Sequence, residues 1–126
     1  MTQLAPLIGL VDDSEEYRFA LDRLLRSAGY RTLHFVSADA FLDSARNGEP
    51  DCLVLDNLMP GTTGLQLAQR LTAMSHPRPF IMVSAAATDI REAALAVGAV
   101  AVLAKAGSAN ALLDAIAGAL RTRTSA

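Results

Sequence analysis

Three aspartates, one serine and one lysine stand where this sequence could do chemistry. Asp12 and Asp13 follow the apolar run Leu7-Ile8-Gly9-Leu10-Val11, Asp56 follows residues 52–55, Ser84 follows 80–83, and Lys105 lies just beyond 100–103. If the three carboxylates meet, they repel one another, so either a cation offsets them or a carboxyl pKa rises. Oxygen donors without His or Cys suit a hard cation, and Mg²⁺ takes one or two carboxylates, waters and a phosphate oxygen. An ammonium and a hydroxyl beside such an ion would receive a phosphoryl group. Asp56 could be the nucleophile, because carboxylates form acyl phosphates, with Mg²⁺ and Lys105 spreading the charge on the transferring oxygens. Taken singly, each residue has a plainer role: Asp12 or Asp13 as a helix cap, Ser84 as a turn residue, Lys105 as a solvated charge. Their combination is more specific than any part.

The elements that would gather them alternate regularly. The first apolar run is too short for a helix and reads as a buried strand. From 15 to 28, Phe19, Leu21, Leu24, Leu25 and Ala28 recur at helical spacing before Gly29. A second strand spans 30–36, and Ser37 can cap a helix running to about Arg46 with Phe41, Leu42 and Ala45 inward. A third strand ends at Asp56. Met59-Pro60-Gly61 forces a loop before a helix over 64–74 carrying Leu65, Ala68 and Leu71 inward. A fourth strand ends at Ser84, a helix runs 89–97, and a fifth strand precedes Lys105. Ser108 can cap a last helix that ends near Leu120. Five strand–helix units with short connections predict a parallel sheet covered on both faces. In such a sheet all carboxyl ends lie along one edge, and ligands bind where the strand order reverses. The second strand ends without a comparable polar group, as expected for the margin of a 2-1-3-4-5 order. The expected fold is therefore α/β, a flavodoxin-like (βα)5 doubly wound three-layer sandwich.

Composition narrows the function classes. At 126 residues, 52% hydrophobic and 19% charged, the chain fits one domain with a proper core, about 6–121, and a short frayed C-terminal tail. A net charge of −2 without a basic block argues against direct nucleic-acid binding. The tail Arg121-Thr122-Arg123 is too short for it. Cys52 is the single cysteine, which suits a reducing compartment and a core position. No apolar run approaches the roughly 20 residues of a membrane span, and Met1 to Pro6 lacks a signal-peptide pattern, so a cytoplasmic location with no membrane contact is expected. Ten arginines accompany the one lysine. His34 and His76 lie off the expected edge and read as surface or turn residues.

Val11-Asp12-Asp13, Leu55-Asp56-Asn57-Leu58-Met59-Pro60 with Gly64, Ser84-Ala85, Gly98-Ala99 and Lys105 together resemble the receiver domain of bacterial two-component response regulators, over essentially the whole chain. The FixJ/NarL type is the nearest in appearance. The resemblance implies a signalling domain rather than an enzyme with its own substrate. Asp56 would accept a phosphoryl group from a phosphohistidine on a histidine kinase or phosphotransfer protein. Asp13, Asp56 and the backbone carbonyl of Leu58 would hold Mg²⁺, with Mn²⁺ as an alternative, and Asp12 would act partly through water. Ser84 would bond the phosphoryl group and report it, and Lys105 would pair with it. Leu58 and Ala86 would flank the attack path. The surface of the fourth helix, fifth strand and fifth helix would then change its affinity for a protein partner or effector domain, or for a second copy of the chain.

Three departures qualify the resemblance. The family usually has a cis proline after the lysine, where Ala106 stands here; a cis bond before alanine costs about 3–4 kcal/mol against ~0.5–1 before proline, so that peptide is open between cis and trans. The family's aromatic switch residue, three positions before the lysine, is Val102, too small for the same swing. The Ser84-to-Lys105 spacing is one residue short, with Ala85-Ala86-Ala87 following Ser84, so an altered loop is expected. The segment 93–113 carries one charge, Lys105, and 16 of the 24 alanines lie after Ser84. Alanine as a compact helix former is favoured there over a smooth apolar docking patch. Two rivals remain: a receiver-like interaction module that no longer cycles phosphate, and a haloacid-dehalogenase-type phosphatase, whose Asp-x-Asp spacing Asp12-Asp13-Ser14 breaks.

Overall fold

The computed structural model describes residues 4–74 and 77–124. The elements are β1 (Leu7–Val11), α1 (Glu15–Ser27), β2 (Arg31–Phe35), α2 (Ala38–Asp43), β3 (Cys52–Asp56), α3 (Gly64–Thr72), β4 (Phe80–Ser84), α4 (Ala87–Ala96), β5 (Ala101–Ala104) and α5 (Ala109–Thr124). The strands form one parallel sheet in the order β2-β1-β3-β4-β5. Register pairs Gly9 with both Leu33 and Leu53, Asp56 with Val83, and Ser84 with Ala104.

Burial follows from this order. β1, β3 and β4 lie inside the sheet and are buried at every position, whereas β2, at the margin, is buried only at Phe35. Because strand side chains alternate between faces, β3 sends Leu53 and Leu55 into one core with Phe41, Leu67, Leu71, Phe80 and Met82. Cys52 and Val54 enter the opposite core with Leu21, Leu25, Ile81, Leu112 and Ile116. The helices meet these cores with residues three and four apart, Leu21 and Leu25 on α1 and Leu112, Ile116 and Ala119 on α5.

Helix starts are secured locally. The Ser14 and Ser37 hydroxyls accept from Tyr17 and Ala40 N–H groups, and Thr63 with Gln66 forms a reciprocal capping box. Gly29 closes α1 at φ 94°, a conformation side chains with a Cβ resist.

Several expectations need correction. Phe19 is 51% exposed; it lies edge-on to His34 of β2 with ring centroids 5.9 Å apart. The second helix stops at Asp43, three residues before Arg46, and leaves Ala45 exposed. The fourth begins at Ala87 rather than Asp89, starting from an N-cap, Ala86, that has no side chain able to accept a bond. The fifth continues beyond Leu120 to Thr124. Alanine does fill helix–sheet contacts, as Ala94 and Ala99 are buried, but Leu95 and Val100 beside them are exposed. His76 lies outside the described residues. Among them, no helix is long and apolar enough to cross a membrane.

Candidate functional site

The carboxyl ends of β1, β3, β4 and β5 bring Asp12, Asp56, Ser84 and Lys105 to one edge. Asp12 extends β1, its N–H donating to the Phe35 carbonyl at 3.1 Å. Its Oδ1 accepts from Ser14 N–H at 2.8 Å, while its Oδ2 lies 2.9 Å from Lys105 Nζ. Helix capping falls to Ser14, so neither Asp12 nor Asp13 is consumed by it. Asp56 ends β3; Lys105 Nζ is 3.4 Å from its Oδ2, and Leu58 N–H donates to its Oδ1 at 3.3 Å. Asp12 and Asp56 are almost wholly buried and Asp13 is exposed, yet each offers an oxygen within 4.8 Å of the other two. Opposite ligands across an octahedral Mg²⁺ with bonds of ~2.1 Å lie about 4.2 Å apart. Small side-chain rotations would bring this all-oxygen donor set onto such an ion.

The supporting contacts explain the placement. Lys105 N–H donates to the Ser84 carbonyl at 3.1 Å, tying the lysine backbone to the end of β4. Ser84 is fully buried, and its Oγ accepts from Ala86 N–H at 3.1 Å, leaving the hydroxyl proton free to donate. Asn57 locks the loop after β3: its carbonyl accepts from Gly64 N–H at 3.2 Å and its Oδ1 from Leu65 N–H at 3.1 Å. The Lys105–Ala106 peptide is trans. After β4, the chain turns tightly from Ser84 to Ala86 and leads directly into α4. Leu58 and Val102 differ in setting: the Leu58 side chain is 57% exposed at the mouth, whereas Val102 is sealed within the core on the α2–α3–α4 face.

Three residues to which the sequence reading gave no role belong to this site. Tyr17 lies beside Lys105, whose Nζ stands 4.5 Å from its ring centroid. Arg18 is buried and donates from Nη1 to the Asp12 carbonyl at 2.6 Å. Asn57 is the third. The signal for Tyr17 and Arg18 was their position in the first turn after an acidic pair, which sets them over the end of β1.

Charge is strained here. Burial, and then repulsion from Asp12, push the Asp56 carboxyl up to about 6, with Lys105 opposing. Burial works against the Lys105 ammonium, but the Asp12 and Asp56 carboxylates outweigh it and hold its pKa above the ordinary value. Burial, followed by the fields of Asp12 and Asp56, raises the Tyr17 phenol to about 12. Such an edge is suited to a hard cation with an anion beside it, and it sets one ammonium against two carboxylates.

Comparison with known proteins gives a consistent result. A family model described as the response regulator receiver domain matches residues 8–117. The transcriptional regulatory protein FixJ of Bradyrhizobium diazoefficiens is 36% identical over 77 residues, covering 61% of this chain and 38% of FixJ. The response regulator protein TodT of Pseudomonas putida is 34% identical over 123 residues, covering 96% of this chain and 54% of TodT. The solved response regulator StyR superposes with a TM-score of 0.84 at 37% identity, covering 96% of this chain and 62% of that one. The chain thus spans about two-fifths to one-half of these curated relatives.

Proposed function

The chain belongs to the response regulator receiver domain family of two-component systems, and on that premise we propose that Asp56 is its phosphoacceptor. The single observation that carries the assignment is the Lys105 ammonium 2.9 Å from Asp12 and 3.4 Å from Asp56, drawn from the ends of three separate strands. The donor is a phosphohistidine on a histidine kinase or phosphotransfer protein. An Asp56 carboxylate oxygen attacks phosphorus, the P–N bond breaks, and the imidazole leaves with the bonding pair and takes up a proton. Asp12, Asp13, Asp56 and the Leu58 carbonyl are the groups suited to hold Mg²⁺ or Mn²⁺, which when bound supplies charge neutralisation at the phosphoryl oxygens. Lys105 pairs with the same oxygens from the other side, and the Ser84 hydroxyl donates to one of them.

Output follows from Ser84. Rotating its hydroxyl toward a phosphoryl oxygen alters the Ser84–Ala86 turn, which leads straight into α4, whose N-terminus has no side-chain cap. Val102, buried and compact, is not the moving part that an aromatic would be. The readout is a changed affinity of the α4–β5–α5 surface for a protein partner, an effector domain or a second copy. This is signalling by a domain that promotes its own phosphorylation and dephosphorylation, in the cytoplasm, without direct nucleic-acid binding.

Incubation with Mg²⁺ and a small phosphoryl donor such as phosphoramidate should add one phosphate, read as a mass shift that hydroxylamine removes. Asp56→Asn should abolish it. Unchanged labelling of Asp56→Asn would reject the acceptor; failure of the wild type to label under any donor would favour a domain that binds partners without cycling phosphate.

A further inference from the structure

Backbone position alone does not fix a lysine. Lys105 Cα is tied to β4 through its N–H, but four side-chain torsions separate it from Nζ, and such a chain keeps considerable rotamer freedom. Room to use that freedom exists. A cleft of about 210 Å³ opens between α1 and the start of α5, lined by Tyr17, Leu21, Leu24, Leu103, Ala104 and Leu112, with Lys105 on its rim. It is largely apolar, yet it could take the lysine stem with its ammonium at the solvent mouth. The loop offers little resistance, since Lys105 is followed by Ala106 and Gly107, joined by a single turn bond from Gly107 N–H to the Ala104 carbonyl at 2.9 Å.

One side chain stands against that escape. Tyr17 is half-buried in the first turn of α1, where its backbone N–H donates to the Ser14 hydroxyl at 3.2 Å. Its ring lies 4.5 Å from Nζ, so the ammonium meets the electron-rich aromatic field on one side and the two carboxylates on the other. We propose that Tyr17 is a positioning residue: its ring clamps the Lys105 ammonium at the mouth of the α1–α5 cleft, facing Asp56, and thereby sets the rate of phosphoryl transfer. The clamp rests on the ring rather than on the phenol. It costs no rearrangement during transfer, because the ring is held by a capped helix. The inference builds on the receiver reading given above.

The single lysine makes the clamp directly observable. Protein labelled with ¹³C,¹⁵N-lysine gives one Cε–Hε signal, and protons over a tyrosine ring are displaced upfield. That displacement should be present in the wild type, retained in Tyr17→Phe and lost in Tyr17→Leu, with no phosphoryl donor added. Tyr30→Phe, on the same protein, should leave it unchanged. Phosphorylation by phosphoramidate at saturating Mg²⁺ should then be about 2- to 30-fold slower in its maximal rate for Tyr17→Leu, with half-saturation by Mg²⁺ moved much less, and Tyr17→Phe should restore most of the rate. An absent upfield displacement in the wild type would overturn the contact. A Tyr17→Leu protein that has lost it but transfers phosphate at the wild-type rate would overturn the positioning role, as would a Tyr17→Phe protein as slow as Tyr17→Leu. Wild-type protein that shows the displacement but accepts no phosphate would overturn the phosphoacceptor reading and the rate claim together, leaving the contact standing alone.

Discussion

Lys105 Nζ lies 2.9 Å from Asp12 Oδ2, nearer than it lies to the Asp56 carboxylate it is expected to serve. The lysine thus bridges the carboxyl ends of β1 and β3 from the end of β5, and it offsets two negative charges that the fold has largely withdrawn from water. Removing it should expose how much repulsion it masks. Lys105→Met should lower unfolding free energy in the presence of a chelator by about 1–3 kcal/mol, between the value of an exposed pair and that of a fully buried one. Added Mg²⁺ should shrink the deficit, since it neutralises the same carboxylates. Urea unfolding with and without Mg²⁺ measures both; equal loss in the two conditions would contradict the bridging role.

Asp56 is a stability liability of the folded chain. Its carboxyl titrates near 6 in the folded state against an ordinary 3.8, so the folded state holds its proton over that interval and stability falls as pH rises through it. In chelator, Asp56→Asn should be more stable than wild type at pH 7.5 by roughly 2 kcal/mol. Each pH unit between the two titration points is worth about 1.4 kcal/mol, and solvent at the open mouth of the site screens part of the sum. The advantage should vanish below about pH 4, where both states are protonated. A constant advantage across the whole range would mean that Asn stabilises by some other contact.

Asp22 behaves in the opposite sense. Its Oδ1 accepts from Thr32, from Arg26 Nε at 3.0 Å and from His34 Nε2 at 3.2 Å, and the Thr32 hydrogen bond first, with Arg26 and His34, lowers its pKa to about 2. A depressed carboxyl pKa contributes stability that is complete above the ordinary value near 4 and is lost as pH falls toward 2. Asp22→Asn should therefore cost something at pH 6, under about 1 kcal/mol because the cluster is partly exposed and screened. The difference should shrink as pH falls below about 4 and disappear only once pH has passed below the folded pKa of about 2.

Gly64 tests the loop that carries the site. A Cβ there would sit 2.4 Å from the Asp56 carbonyl oxygen and 2.8 Å from Asn57 Cα, both backbone atoms that cannot yield cheaply. Gly64→Ala should destabilise by about 1–3 kcal/mol or more and impair phosphorylation at Asp56 in parallel. Gly48→Ala, with nothing within 4 Å of the added carbon, should fall within about 0.5 kcal/mol of wild type. Similar melting temperatures for the two variants would show that the loop shifts freely.

Much of this molecule was legible in its sequence because the relevant forces are local and repetitive. Unbroken apolar runs announced strands buried on both faces, and polar residues at four of the run ends announced a common edge. The helix start at Ser37 and the stop at Gly29 follow from hydrogen bonding and backbone freedom within a few residues, whereas the cap of α1, offered to Asp12 or Asp13, belongs to Ser14. What only the tertiary structure decided was which partners meet at that edge. Phe19 obeys the helical period of α1, but β2 is the sheet margin, so nothing covers the ring fully and it packs edge-on against His34. Tyr17 and Arg18 carry no motif; they matter because α1 folds back across the end of β1 and delivers a ring to Lys105 and a guanidinium to the Asp12 carbonyl. The Lys105 preference for Asp12 over Asp56 is likewise set by three strands converging through the sheet's order, a distance that no spacing along the chain encodes.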